Sequence, residues 1–157
     1  MDQAKPPTRA PTAEPSPSLT DAVNAFTNFN AVLDGYLAGS TPITAFESIV
    51  TPEYFDVLVE EDVDGVTKNG TRTVGASSFG EEKLVEPEDW GGYGDVALVV
   101  CRDISRTSEV DRNGEPVGGS GRDTLIPLVV YFTVDNSPER RLLVTKVDQW
   151  NEDGYCT

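Results

Sequence analysis

The chain has 157 residues, 38% hydrophobic and 25% charged, which suits one domain able to bury a core. Its formal net charge of -15, with a pI near 4.2, sets it against duplex DNA, RNA and anionic lipid surfaces. It holds no histidine, so a Ser-His-Asp or Cys-His mechanism is excluded, and acid–base work would fall to Asp, Glu, Tyr or Lys.

Residues 1–18 carry Pro6, Pro7, Pro11, Pro15 and Pro17 among Thr, Ala, Ser and Glu. Such a segment has too little apolar surface to offset its ordering entropy, and it reads as an extended stalk or linker. No stretch is apolar enough to span a bilayer and no signal-peptide core is present. The stalk predicts a signal or membrane anchor upstream of Met1, with membrane proximity through that anchor alone. Residues 19–157 read as a single domain.

Thr20 is the predicted cap of a first helix, with Asp21 in its first turn. Ala22, Phe26, Phe29, Leu33 and Tyr36 or Leu37 recur at three- and four-residue steps as one apolar stripe, and Gly39 is a stop. Thr41-Pro42 starts a second pattern with Ile43, Phe46 and Ile49 or Val50. Thr51-Pro52-Glu53 starts a third with Tyr54, Phe55, Leu58 and Val59.

From Lys68 onward β-branched residues and Gly take over. Strands are expected near 71–85, 94–109, 123–135 and 140–150. Asn113-Gly114 is a turn signal between the second and third, and 136–139 turns the third into the fourth. The third strand, Leu125 to Val134, is apolar on both faces apart from Thr133, so it is central or meets another subunit. Pro127 inside it calls for a bulge or an edge position. Helices first and strands second give an α+β domain: three N-terminal helices packed on a curved four-stranded antiparallel sheet.

Cys101 and Cys156 are too few for a zinc site without histidine. They are 55 positions apart, and a disulfide there stabilises by about 4 kcal/mol in the chain-entropy model. The pairing implies an oxidising compartment; the alternative is two unrelated thiols.

Other candidates are weaker. Glu60-x-Asp62-x-Asp64-Gly65 has the early spacing of a calcium loop, but position twelve is Thr71, which cannot be bidentate. An acidic helix end is the simpler reading. Glu81, Glu82, Glu86, Glu88 and Asp89 precede Trp90-Gly91-Gly92-Tyr93, a setting for a sugar or cation, or a solvated loop pinned by one Trp. Asn69-Gly70-Thr71 fits the glycosylation pattern. Asp103 and Tyr131, with Asp148 and Tyr54, are the remaining acid–base candidates. Alternation puts Asp103 on the face of Cys101 and Val99, opposite Leu98 and Val100.

Three helices followed by a long antiparallel sheet, over 19–156, resemble the NTF2-like (cystatin-like) cone fold. More narrowly, the Pro/Thr stalk, Val99-Val100-Cys101-Arg102-Asp103, the Asn113-Gly114 turn, and Val147-Asp148-Gln149-Trp150 with Tyr155-Cys156 resemble small exported lipoprotein-type domains of high-GC Gram-positive bacteria. Usage agrees, with 8 Arg against 4 Lys. The resemblance implies a helix-lined cone able to hold a small ligand, and enzymes with an Asp and a Tyr or His inside it. Without histidine, and with neither Asp103 nor Tyr131 in a catalytic motif, the expectation is a non-enzymatic binding or scaffold module at the cell envelope. It would be extracytoplasmic and would need no cofactor. A protein partner or second copy would contact the outer sheet face through residues such as Val129 and Tyr131. The alternative is a small-molecule binder or ketosteroid-isomerase-like enzyme. The cone interior decides between them: Phe26, Phe29, Phe46 and Phe55 fill it in a scaffold, whereas a binder leaves it open.

Overall fold

The structure, a computed structural model, describes residues 17–64, 70–118, 123–150 and 156. Most of the stalk therefore lies outside the described residues. Helix α1 runs over Leu19–Leu37. Ser18, not Thr20, caps it: the Asp21 amide donates to Ser18 Oγ (3.1 Å) and the Ser18 amide to Asp21 Oδ2 (2.9 Å). The reciprocal pair satisfies two amides that the first turn leaves open, which favours a start one residue before Thr20. The stripe behaves as its spacing requires, with Ala22, Phe26, Phe29 and Asn30 buried.

The second predicted helix is a single 3-10 turn, Ile43–Phe46. Its pattern is too short to nucleate an α-helix. The residues after it pair with the sheet instead: Val144 donates to the Ile49 carbonyl (3.0 Å) and Thr51 donates to that of Val144 (2.9 Å). Residues 49–51 thus lie parallel to the last strand and cover part of its edge. Helix α2 is Pro52–Asp64, with the Thr51 hydroxyl accepting from the Tyr54 amide (3.3 Å).

Six strands come next: β1 (Arg72–Gly75), β2 (Ser78–Val85), β3 (Val96–Asp103), β4 (Thr107–Val110), β5 (Leu125–Val134) and β6 (Leu142–Gln149). They form a four-stranded antiparallel sheet in the order β2-β3-β5-β6 and a separate two-stranded ribbon of β1 and β4. The first two predicted strands are therefore each broken. The break at 76–77 faces one at 104–106. There the Ser105 amide donates to Asp103 Oδ1 (2.8 Å) and the Thr107 amide to the Ile104 carbonyl (3.0 Å), a side-chain-capped turn that ends the ladder.

Asn113-Gly114 does turn the chain, but it closes a short loop in which Val110 bridges to Pro116, not a hairpin of the main sheet. Residues 135–141 make the β5–β6 turn. Asp135 holds it by accepting from the amides of Ser137 (3.2 Å) and Arg141 (2.9 Å).

β5 is central, and Pro127 sits in it without conflict. Its carbonyl accepts from the Trp150 amide (3.2 Å), so its missing N–H points the same way, past the end of β6. Both faces of the sheet are buried. Against the helices lies a core of Leu98, Val100, Leu128, Val130, Phe132 and Val144 with Phe26, Phe29 and Phe46. On the opposite face Ala97, Val99, Val129, Tyr131 and Trp150 form a second cluster.

Candidate functional site

The space between helices and sheet is the first place to look for a ligand. Aromatic rings fill it. Phe26 meets Phe79 edge to face at 4.7 Å between centroids, Phe29 meets Phe46 at 5.4 Å, and Tyr36 meets Phe46 at 5.7 Å. Phe26 and Phe46 are fully buried, and half-buried Phe55 packs against the same core. The Phe26–Phe79 and Tyr36–Phe46 contacts are edge to face and the Phe29–Phe46 contact is tilted, arrangements typical of packed protein interiors.

At one edge of this core sits a polar network that the sequence pattern alone does not assemble. Arg102 donates through Nε to Asn30 Oδ1 (2.8 Å) and through Nη2 to Asp34 Oδ1 (2.9 Å). Asp34 also accepts from the Ser77 amide and hydroxyl (2.9 Å each), and Asn30 Nδ2 donates to Ser77 Oγ (2.9 Å). The Arg102 and Asp34 side chains are 13% and 16% exposed. These bonds tie α1 to β3 and to the β1–β2 joint as a structural clamp.

The sheet face turned away from the helices is covered by residues of this same chain. Trp90 stacks edge to face on Trp150 at 5.0 Å, and Tyr93 on Tyr131 at 5.2 Å. The loop carrying Trp90 and Tyr93 is pinned tightly. The Asp95 amide donates to the Phe132 carbonyl (2.7 Å) and Asp95 Oδ2 accepts from the Val134 amide (2.9 Å). A Cβ at Gly91 would stand 2.5 Å from Tyr131 Oη, and one at Gly94 would stand 2.4 Å from the Phe132 carbonyl oxygen. Only glycine permits this close approach. The covering leaves Val129 and Tyr131 only 2% exposed each, so neither offers surface to a partner. What the face does offer is Tyr93, 44% exposed, with Lys146 Nζ 4.1 Å over its ring and Asp148 Oδ2 4.0 Å from the same ammonium. The hydrogen bond to Tyr93, and then the Asp148 charge, raise the Lys146 pKa against desolvation.

Cys101 and Cys156 are joined, with their Cα atoms 5.6 Å apart. Cys101 lies on this outer face of β3, in line with Ala97 and Val99.

The two acid–base candidates share the outer side of the sheet and have no common pocket. Asp103 is held below the usual carboxylate range by hydrogen bonds from the Ser105 side chain and amide, so it is an ionised turn cap. Burial, and then the Asp148 charge, push the Tyr131 hydroxyl up, which keeps it protonated. Neither is poised near neutral pH, as a general base would be. Tyr54 lies on the helix side and is pushed up to about 12 by burial and then by Glu61. Helix α2 runs through Glu60, Asp62 and Asp64, so these positions are on helical backbone where a calcium loop requires a turn. Among the described residues no group of three His, Cys, Asp or Glu is arranged to hold a metal. Asn69 of the glycosylation pattern lies outside the described residues.

Two surface grooves flank the β5–β6 turn and share Pro17, Val134 and Arg140. One, of about 560 Å³, runs past Asp21, Asn24 and Ser48; the other, of about 660 Å³, past Leu84, Glu86 and Asp95. Both are open and lined by carboxylates as well as arginine, so neither selects a charge.

Among solved structures, the chain is similar to the crystal structure of the intermembrane space region of the chloroplast protein ARC6, with a TM-score of 0.61. The match covers 88% of this chain and 100% of that one at 8% identity, a likeness of fold alone. No protein-family model and no curated protein matches the sequence.

Proposed function

We propose that this is a non-enzymatic binding or scaffold module of the NTF2-like kind, held at the bacterial cell envelope by its N-terminal stalk. The observation that carries the reading is the filled space between helices and sheet, where Phe26, Phe29 and Phe46 occupy the volume a ligand would need. The separation of Asp103 and Tyr131 from that space supports it too, because neither could meet a substrate held there. An extracytoplasmic setting is compatible with the disulfide, and with the intermembrane space to which the similar ARC6 region belongs.

The contact surface we assign is the exposed rim of the outer sheet face, centred on Tyr93, Lys146 and Asp148. It takes the place of the buried Val129 and Tyr131. An exposed Tyr is the kind of side chain that interface centres favour, and Lys146 and Asp148 beside it suit the polar rim around such a centre. The test is a photo-crosslinking amino acid placed at Tyr93 in cells exporting the full chain, with Val57 on the exposed side of α2 as the control position. A discrete adduct from position 93 and none from 57 supports the reading. Equal adducts from both, or none from 93, refute it.

A further inference from the structure

We propose that the Cys101–Cys156 disulfide is the clasp of the outer-face core, so that reducing it uncovers that face while the helix-side core stays folded. The sheet separates two hydrophobic clusters. Among the described residues, the buried helix-side cluster draws on α1, the 3-10 turn, Val50 and three strands, β3, β5 and β6, with residues of α2 and β2 packed against it. The outer cluster is smaller: Ala97, Val99, Val129, Tyr131 and Trp150 are buried, with Val85 and Trp90 packed against them. Neither cluster includes a cysteine, but the alternation of β3 puts Cys101 on the outer face, two residues beyond Val99 of the outer cluster, so the disulfide lies on that side of the sheet. Cys101 is fixed in the C-terminal half of β3, paired with Pro127 on one side and Gly80 on the other. Cys156 stands beyond the last strand, six positions after Trp150, the large side chain that closes this cluster against Trp90.

The exposures set the direction of the chemistry. Cys101 is buried and Cys156 half-exposed. The thiolate of a small dithiol attacks the sulfur of Cys156. A mixed disulfide forms there, the Cys101–Cys156 bond breaks, and Cys101 leaves as a thiolate that takes a proton. The second thiol of the reagent then displaces the Cys156 thiol and closes the reagent's own disulfide. In all, the protein gains two electrons and two protons and the dithiol is oxidised. What remains over the outer face is a small cluster without its covalent tie, held by the Asp95 contacts and the Trp90–Trp150 pair, and small units open before the global fold does. Whether the rim binds a partner does not enter.

The full-length protein is treated in native buffer with dithiothreitol, then pulsed with N-ethylmaleimide, and both cysteines are quantified by peptide mass spectrometry. Tryptophan emission and far-UV circular dichroism are followed in parallel. The expected result is labelling of Cys101 at a rate comparable to Cys156, a red shift of the emission, and no loss of helical signal. Labelling of Cys156 with Cys101 still protected and emission unchanged overturns the proposal, because the cover then holds itself. Loss of the helical signal with reduction also overturns it, because the disulfide is then a staple for the whole chain. The Cys156→Ser variant gives the same reading without reductant. Its Cys101 labels as fast as in the reduced parent if the clasp is real; protection of Cys101, or loss of helix, counts against it.

Discussion

Replacing Arg102 with Met removes one guanidinium and keeps most of the apolar stem. Two hydrogen bonds disappear, to Asn30 Oδ1 at 2.8 Å and to Asp34 Oδ1 at 2.9 Å. Asp34 keeps its bonds from Ser77, but its carboxylate loses the facing charge in a setting only 16% exposed. Breaking a buried pair from one side costs about 3–5 kcal/mol. The residual exposure and the Ser77 contacts place this site at the lower end, at about 3 kcal/mol. For a domain of this size that is a fall of about 10 °C in melting temperature. Urea unfolding followed by circular dichroism reads it directly, as a lower midpoint at unchanged slope. The double variant Arg102→Met/Asp34→Leu removes the stranded charge as well, so its cost falls below the sum of the two single variants. A loss under about 1 kcal/mol for Arg102→Met, or strict additivity in the cycle, would refute the clamp.

Three further outcomes rest on the packing and titration. Phe26→Ala, at a fully buried position against Phe29 and Phe79, costs about 3–5 kcal/mol in the same urea assay. Gly91→Ala drives a Cβ to 2.5 Å from Tyr131 Oη, and the displacement of Tyr131 costs about 1–3 kcal/mol, with a change in near-UV dichroism as the aromatic cover shifts. The Tyr54 pKa is raised from 10.0 to about 12, so the neutral hydroxyl's contribution to stability is complete below about pH 10 and is lost as pH climbs through the folded value. Tyr131, also raised by burial, acts in the same direction. Comparing urea midpoints at about pH 9 and about pH 11.5 shows a fall that Tyr54→Phe makes shallower.

Much of the fold is legible in the sequence because it is local. The Ala22-Phe26-Phe29 stripe is α1, Thr51-Pro52 opens α2, and the doubly apolar run from Leu125 is the central strand. The Cys101–Cys156 pairing is also within reach of counting. What escapes depends on partners far away in the chain. The four residues Ile43–Phe46 make one turn because residues 49–51 are taken up by the edge of β6. Asp103 reads as a base candidate because its strand pattern does not show that the ladder stops there and needs a cap. The second core is hidden because Trp90, between β2 and β3, and Trp150, after β6, are far apart in the chain, and it is what takes Val129 and Tyr131 out of reach of a partner. The polar clamp does leave a signal. Asn30 and Asp34 are one helical turn apart beside the apolar stripe, and Arg102 shares the alternation of Leu98 and Val100. A buried face bearing an amide, a carboxylate and a guanidinium has to join them.

The central claim is that the space between helices and sheet is filled and holds no ligand cavity. A crystal of the protein pressurised with xenon tests this most directly, because xenon enters apolar cavities that water leaves dry. The account predicts no xenon site bounded by Phe26, Phe46, Leu98 and Val130. An ordered xenon atom among those side chains would contradict it, and would return a small-molecule-binding function to first place.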